Sequence, residues 1–401
     1  MTWKAIVGEE KREQLQTLLR AYASGPISVH PVPSLSSGFA GAALFWGSLA
    51  LELDDAPSLS RCEEALERAM DSMASIPSNA CLHQGVTGVA WLLHHFHRRG
   101  LVECPDETTS ELELLLLERL RHQRFPVYGL FDGLVGLGVY GLERLPSAWA
   151  REFLGEVVRQ LAALAIETGQ GTTWRDLFGS PEAERPQPRA DSYNLRLTHG
   201  VPGVVSVLAR CAAAGIHREQ ASHLARLGAD WVLAQRQEGR FPSLFIPGGP
   251  PTQHWDGWGS GSAGVGIALL SAGRALGDTR LEQEALSILL DVAARPEPEA
   301  DLEDAGIWFG SAGLAHIFNR AFQATGEPCL YEAALSWLQR TVRFARHSAE
   351  GSFWMHTSSR SDHFLSGGLG TALVLLTASS SNEPTWDRIL MTDVQGSDPR
   401  A

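Results

Sequence analysis

Two kinds of apolar pattern alternate along the chain. In one, a Gly-x-x-Gly tetrad is followed at once by a run of Ala, Val, Leu or Ile about one helix long. In the other, apolar residues recur at helical spacing with charged residues between them, as over 60–76, where Glu63, Glu64, Glu67 and Arg68 form the wet face. The tetrads stand at 38–41, 85–88, 133–136, 200–203, 261–264, 310–313 and 367–370. They predict seven inner helices, among them 42–53, 204–214 and 371–379. The two-faced segments predict outer helices at 9–24, 60–76, 110–122, 148–166, 219–237, 280–294 and 331–345. Because the seventh inner helix has little after it, the segment 9–24 is expected to supply its missing partner. This predicts an all-α fold of seven inner and seven outer helices closed on itself, an (α/α)7 toroid forming one domain over 1–401.

The tetrads are unevenly spaced, and the surplus falls in Pro- and Gly-rich connections near 168–194, 238–258 and 347–364. Each leads into a tetrad, so the long loops are expected at the end where the inner helices begin, and loops of this length in a compact domain are often functional. Helix N-termini gathered there would offer unpaired N–H groups to an anion or an enolate-like transition state. For most of the glycines, however, close packing is sufficient reason.

Composition narrows the classes. With 44% hydrophobic and 20% charged residues the chain can bury a large core, and no apolar run reaches membrane-spanning length. The first residues lack the pattern of a signal peptide, so the cytoplasm is the expected location. A net charge of -13 without clustered Lys and Arg argues against nucleic acid. Cys62, Cys81, Cys104, Cys211 and Cys329 are scattered without metal or redox spacing and are expected to be buried thiols.

Repeat number, the run Tyr193-Asn194-Leu195-Arg196-Leu197-Thr198-His199-Gly200-Val201-Pro202-Gly203, and the stretches 304–306 and 316–320 resemble the lanthionine synthetase C-like family. The resemblance implies the toroid and a cyclase that adds a cysteine thiol of a precursor peptide to a dehydrated residue. It also implies three zinc ligands, but the family's Trp-Cys-Tyr-Gly is here Trp258-Gly259-Ser260-Gly261 and its Cys-His-Gly is Trp308-Phe309-Gly310. No metal and no cofactor are therefore expected. The family's Tyr-Asp in the third repeat becomes Tyr128-Gly129.

His199 is the surviving polar residue and the expected acid–base group. His254 and Asp256 could form a replacement acid–base pair, although exposed loop polarity explains them as well. Asp132 could cap the third inner helix or reach the cavity. Trp258, Trp308 and Phe309 either fill the vacated volume or form an aromatic platform, and Tyr193 and Arg196 join them as candidate peptide contacts. His94, His95 and His97 are expected to be structural, and His356 and His363 are marginal candidates. Two functions remain open: a zinc-independent cyclase acting on the leader and dehydrated core of a precursor peptide, with a dehydratase or other maturation enzyme as a candidate partner, or a non-catalytic protein that holds the peptide or a partner. A glycoside-processing toroid is disfavoured, since no convincing carboxylate pair stands near the tetrads.

Overall fold

A computed structural model of the chain describes residues 3–76, 79–176, 192–249, 252, 254–295, 304–347, 353–355 and 362–394. The chain divides into two compact units, Met1–Cys104 with Ala293–Ile389 and Pro105–Val292 with Leu390–Ala401. The first begins with α1 (Glu9–Ser24), α2 (Phe39–Leu53), α3 (Ala56–Ser75) and α4 (Val86–Arg98). The second carries α5 (Glu107–His122), α6 (Leu134–Glu143), α7 (Ala148–Leu164), α8 (Val201–Ala213), α9 (Arg218–Ala234), α10 (Ser262–Leu276) and α11 (Thr279–Ala293). The chain then returns to the first unit with α12 (Ser311–Thr325), α13 (Pro328–Arg343) and α14 (Gly368–Ser379).

Every second helix is an inner one, and the first glycine of each tetrad is its N-cap: Gly38, Gly85, Gly133, Gly200, Gly261, Gly310 and Gly367. The helices thus start inside the tetrads, a turn earlier than the apolar runs suggest. Burial separates the two kinds as expected. From Val201 to Ala212 every residue of α8 is buried, whereas its outer partner α9 buries only one face, through Ala221, Ala225, Gly228, Ala229, Trp231 and Val232. In the first unit α12 neighbours α14, α14 neighbours α2 and α2 neighbours α4; in the second α8 lies between α6 and α10. The N-terminal α1 does pack on α14. Ile6 N donates to Ala378 O (3.1 Å), Tyr22 Oη donates to Asp362 Oδ1 (2.6 Å), and the Tyr22 ring meets Phe45 edge-on.

The reason for glycine differs from the one expected. A Cβ at Gly38, Gly85, Gly200 or Gly261 would lie 2.1–2.2 Å from the carbonyl oxygen of Val32, Asn79, Asn194 or Trp255. The second glycines meet the same obstacle: Gly41, Gly88, Gly264 and Gly313 face the oxygens of Leu35, Leu82, Trp258 and Ile307 at 2.0–2.3 Å. The incoming loop folds back over its own helix start, and it is this loop, rather than neighbouring helices, that excludes a side chain. Gly261 is constrained twice, because its φ is +132°.

The same loops use up donors that were expected to face a ligand. Phe39 N donates to Val32 O, Leu134 N to Val127 O, Val135 N to Tyr128 O, Ser262 N to Trp255 O and Ser311 N to Asp304 O, all at 2.9–3.2 Å. The first N–H groups of α2, α6, α10 and α12 are thereby spent on backbone carbonyls and are not available to an anion.

Among the described residues three short antiparallel strand pairs, absent from the sequence expectation, lie in the long connections: the hairpin β1 (Ile166–Thr168) with β2 (Gly171–Thr173), β3 (Tyr193–Asn194) with β4 (Leu244–Phe245), which joins the connections before α8 and before α10, and β5 (Ala345–His347) with β6 (Phe353–Met355). The segment after α14 is held by buried charge. Asp387 accepts from His316 Nε2 (2.7 Å) and from Arg320 Nε and Nη2 (2.6 and 2.7 Å), while Arg320 also reaches Glu383 and the Pro384 carbonyl. Burial alone would raise the Asp387 carboxyl, but Arg320 and His316 hold it well below the usual range. In the second unit Arg210 pairs with Asp393 at 2.7 Å. Of the cysteines, Cys62, Cys104 and Cys211 are buried as expected, Cys81 is half-buried and Cys329 is exposed. Burial pushes the Cys62 and Cys211 thiols up to about 12.

Candidate functional site

A polar cluster lies in the second unit, at the start of α8. Asn194, the last residue of β3, turns the chain: its Oδ1 accepts from Arg196 N (2.9 Å) while Leu195 N donates to Ser243 O (3.1 Å). Thr198 then joins three repeats. Its carbonyl accepts from Leu130 N (2.8 Å), before α6, and its hydroxyl donates to Gly259 O (3.0 Å), before α10. His199 Nδ1 lies 2.8 Å from the same hydroxyl oxygen. A hydroxyl carries one proton, and that of Thr198 is committed to Gly259, so Nδ1 must be the donor and the imidazole lone pair sits on Nε2.

The His199 ring is half-buried and stacks on Phe131, with centroids 5.3 Å apart and planes at 23°. Burial, with the nearby Arg196 cation adding to it, lowers its pKa to about 4. It is therefore neutral at pH 7. Such an imidazole is a weak base, but its conjugate acid is a strong one.

Asp132 completes the cluster, one residue before Gly133, which is the N-cap of α6. A Cβ at Gly129 would lie 2.7 Å from Asp132 Oδ1, 3.2 Å from Thr198 O and 3.3 Å from His199 Cα. Gly129 is the position where the resemblance implies an acid, and the space beside it is taken by the carboxylate of Asp132. The residue is exposed, yet burial of its carboxyl end raises the Asp132 pKa; its own backbone N–H opposes the shift and Asp176 adds to it. Tyr128, fully buried beneath, donates to Trp174 O (3.0 Å).

The other candidates fare differently. Trp258 is wholly buried and its indole N–H donates to Leu390 O (3.1 Å), so it fills core and leaves no face for a ligand. Asp256 is buried and bridges to Gly261, His254 bridges to Pro242, and no hydrogen bond or ion pair joins the two among the described residues. Their backbones bridge to different partners, so the bridges lend no support to a replacement acid–base pair. Tyr193 packs its ring between Trp231 and Phe245, and Arg196 is buried. In the first unit Trp308 and Phe309 form a half-buried tilted pair, centroids 5.8 Å apart. His94 and His95 are buried structural residues, His95 stacking on Trp91; His97 is exposed, with Nδ1 on Val102 O. His363 lies edge-on to His30, and His356 falls outside the described residues.

The positions that would hold the implied zinc do not fit one. Gly259 brings no side chain and its carbonyl is occupied by Thr198, while an indole and a phenyl at Trp308 and Phe309 offer no metal donor. Among the described residues no group of three or more His, Cys, Asp or Glu could hold a metal ion. Nor is any described helix long and apolar enough to cross a membrane.

The model of the lanthionine synthetase C-like family matches residues 32–391. The chain belongs to this family. Among solved structures it is similar to a nisin cyclase, at 17% identity and TM-score 0.72 over 96% of this chain and 97% of that one, which shows a shared α/α toroid fold. A sugar epimerase from a ruminal bacterium matches at 10% identity, covering 92% and 98% of the two chains, with a TM-score of 0.45 that is too low to carry an argument. No curated protein matches the chain. For this family member the residues missed in the sequence were Thr198, whose place before His199 was visible but whose double bonding was not, and Phe131, which stacks on it.

Proposed function

We propose that this lanthionine synthetase C-like protein acts on a dehydrated precursor peptide and forms a thioether by adding a cysteine thiol to a dehydroamino acid without zinc. The observation that carries the reading is the oriented, neutral His199 beside Asp132, in a family of lanthionine synthetase C-like proteins. Full transfer of a proton from a free thiol, pKa roughly 8.5, to an imidazole near 4 is uphill by roughly 6 kcal/mol, so His199 does not pre-form the thiolate. As the S–C bond forms at the β-carbon, however, the S–H proton becomes strongly acidic and Nε2 can accept it. The π-electron pair of the broken C=C bond moves to the α-carbon and its carbonyl. The resulting imidazolium then returns the proton to that carbon, so no atom is lost. Asp132, whose carboxyl pKa is raised by burial of its end, shares the space beside Gly129 with the His199 backbone.

The second reading, a peptide- or partner-holding protein without chemistry, is favoured by the Trp308–Phe309 pair where the family has metal donors. One assay separates the two: loss of free thiol from a dehydrated peptide with wild type, His199→Ala or buffer. The catalytic reading expects His199→Ala to lower turnover by about 10²-fold or more with peptide affinity retained. If wild type binds the peptide yet matches buffer, the holder reading replaces it.

A further inference from the structure

The outer helix α5 carries more leucine than its core contact uses. Of the run Leu114-Leu115-Leu116-Leu117 it buries the last two, while Leu114 and Leu115 are 61% and 59% exposed. Among the described residues the one other exposed large apolar side chain is Met70 on α3, at 36%. Two adjacent leucines this bare on a helix that could carry polar residues at no cost point to a contact surface. The exposed residues of α5 form one face. Glu107, Thr108, Glu111, Leu114, Leu115, Glu118, Arg121 and His122 recur every three or four positions, opposite the side buried through Leu116, Leu117 and Leu120. The two leucines stand at its midpoint, with the acidic Glu107 of the first turn at one end and the basic Arg121 and His122 of the last turn at the other.

A helix face that is apolar in the middle and oppositely charged at its ends is complementary to itself when a second copy is turned end for end. A two-fold axis between Leu114 and Leu115 stacks four leucines, sets Glu107 of each copy opposite His122 of the other, and sets Thr108 opposite Arg121. Glu111 then stands opposite Glu118, the least favourable pairing. Glu118, however, already accepts from Arg121 Nη1 (2.9 Å) and lies 3.2 Å from His122 Nε2 in its own helix, so Glu111 also meets the cationic end of the other copy. A parallel copy would instead bring Glu107 onto Glu107 and Arg121 onto Arg121, with the helix dipoles aligned unfavourably. We infer that the protein self-associates through α5 as an antiparallel two-fold dimer centred on Leu114 and Leu115. One helix per copy is a small interface, so the dimer belongs to the weak class, with a dissociation constant of roughly 1–100 µM. The inference does not depend on the chemistry at His199.

Sedimentation velocity on the full chain, from about 1 to about 500 µM, should show monomer giving way to dimer. Leu114→Glu and Leu115→Glu should each raise the dissociation constant at least about tenfold, while Met70→Glu should leave it unchanged. All three positions are exposed, and circular dichroism should show each variant folded. Orientation is tested by charge. His122→Glu sets two glutamates against each other at both ends of the dimer, so it should weaken self-association. Fluorescein-labelled His122→Glu should then bind unlabelled Glu107→Lys about tenfold more tightly than it binds unlabelled His122→Glu. In that mixed dimer one end pairs the introduced lysine with the introduced glutamate, and the other keeps Glu107 opposite His122. A wild type that stays monomeric throughout, or a dimer indifferent to Leu114→Glu, would overturn the inference. So would labelled His122→Glu that binds both unlabelled variants equally, because only the antiparallel arrangement distinguishes them.

Discussion

The starts of α8 and α12 are built on the same backbone device and armed differently. Before α8, Asn194 Oδ1 accepts from Arg196 N at 2.9 Å; before α12, Asp304 Oδ1 accepts from Gly306 N at 2.8 Å. Gly200 is closed in by Asn194 O at 2.2 Å, and Gly310 by Asp304 Oδ1 at 2.2 Å. The residue just before the glycine is His199 in one and Phe309 in the other. His199 is oriented by a hydroxyl and has the Arg196 cation and the Asp132 carboxyl near it, whereas Phe309 carries no acid–base group and tilts against the indole of Trp308. The comparison teaches that the turn, the glycine and the helix start are a mounting, and that chemistry depends on the single side chain mounted before the glycine and on what the adjoining repeats bring to it.

The largest effects should come from breaking the mounting. Gly200→Val and Gly310→Val are each expected to destabilise the fold by several kcal/mol, since a Cβ would sit within van der Waals overlap of fixed backbone or of the turn carboxylate. Chemical denaturation measures this; if one variant melts like a surface substitution, the two starts do not share a device. Removing Arg320 should cost about 3–5 kcal/mol by stranding the buried Asp387, in contrast to Arg151→Ala, which should cost well under about 1 kcal/mol.

A smaller effect distinguishes the two mounted side chains by pH. His199 has its folded pKa lowered from 6.5 to about 4. The unfolded chain therefore binds more protons between those values, and stability falls as pH drops from about 6.5 towards 4. The loss should reach about 2–3 kcal/mol, allowing for the partly exposed ring. In His199→Phe this component should vanish from the urea-denaturation profile, and Phe309→Leu should leave it intact. Catalysis should share the low value, with the acid limb of kcat/KM near pH 4; a limb near 6.5 would show that His199 is not the group titrating. The smallest expected effect is none at all: purified protein should hold well under about one zinc per chain by elemental analysis, and a chelator should leave its melting temperature unchanged, because Gly259, Trp308 and Phe309 supply no ligands.

Periodicity and tetrads were enough to find the helices, their inner and outer character and the pairing of α1 with α14, because burial on all sides versus one side writes itself directly into apolar spacing. His199 was likewise legible, since its motif is local. What lay beyond the sequence was everything decided by chain segments distant along the sequence: the Thr198 hydroxyl held by Gly259, the tautomer this imposes, the disappearance of Trp258 into the core, and the backbone caps that silence helix N-termini. The return of the Asp132 carboxylate to the space beside Gly129, though local in sequence, also depends on the fold, because Thr198 and His199 of the next repeat border that same space. A linear pattern records how much each residue must be buried. Which donors and acceptors are already spent on one another is settled only when the loops close over the helix starts.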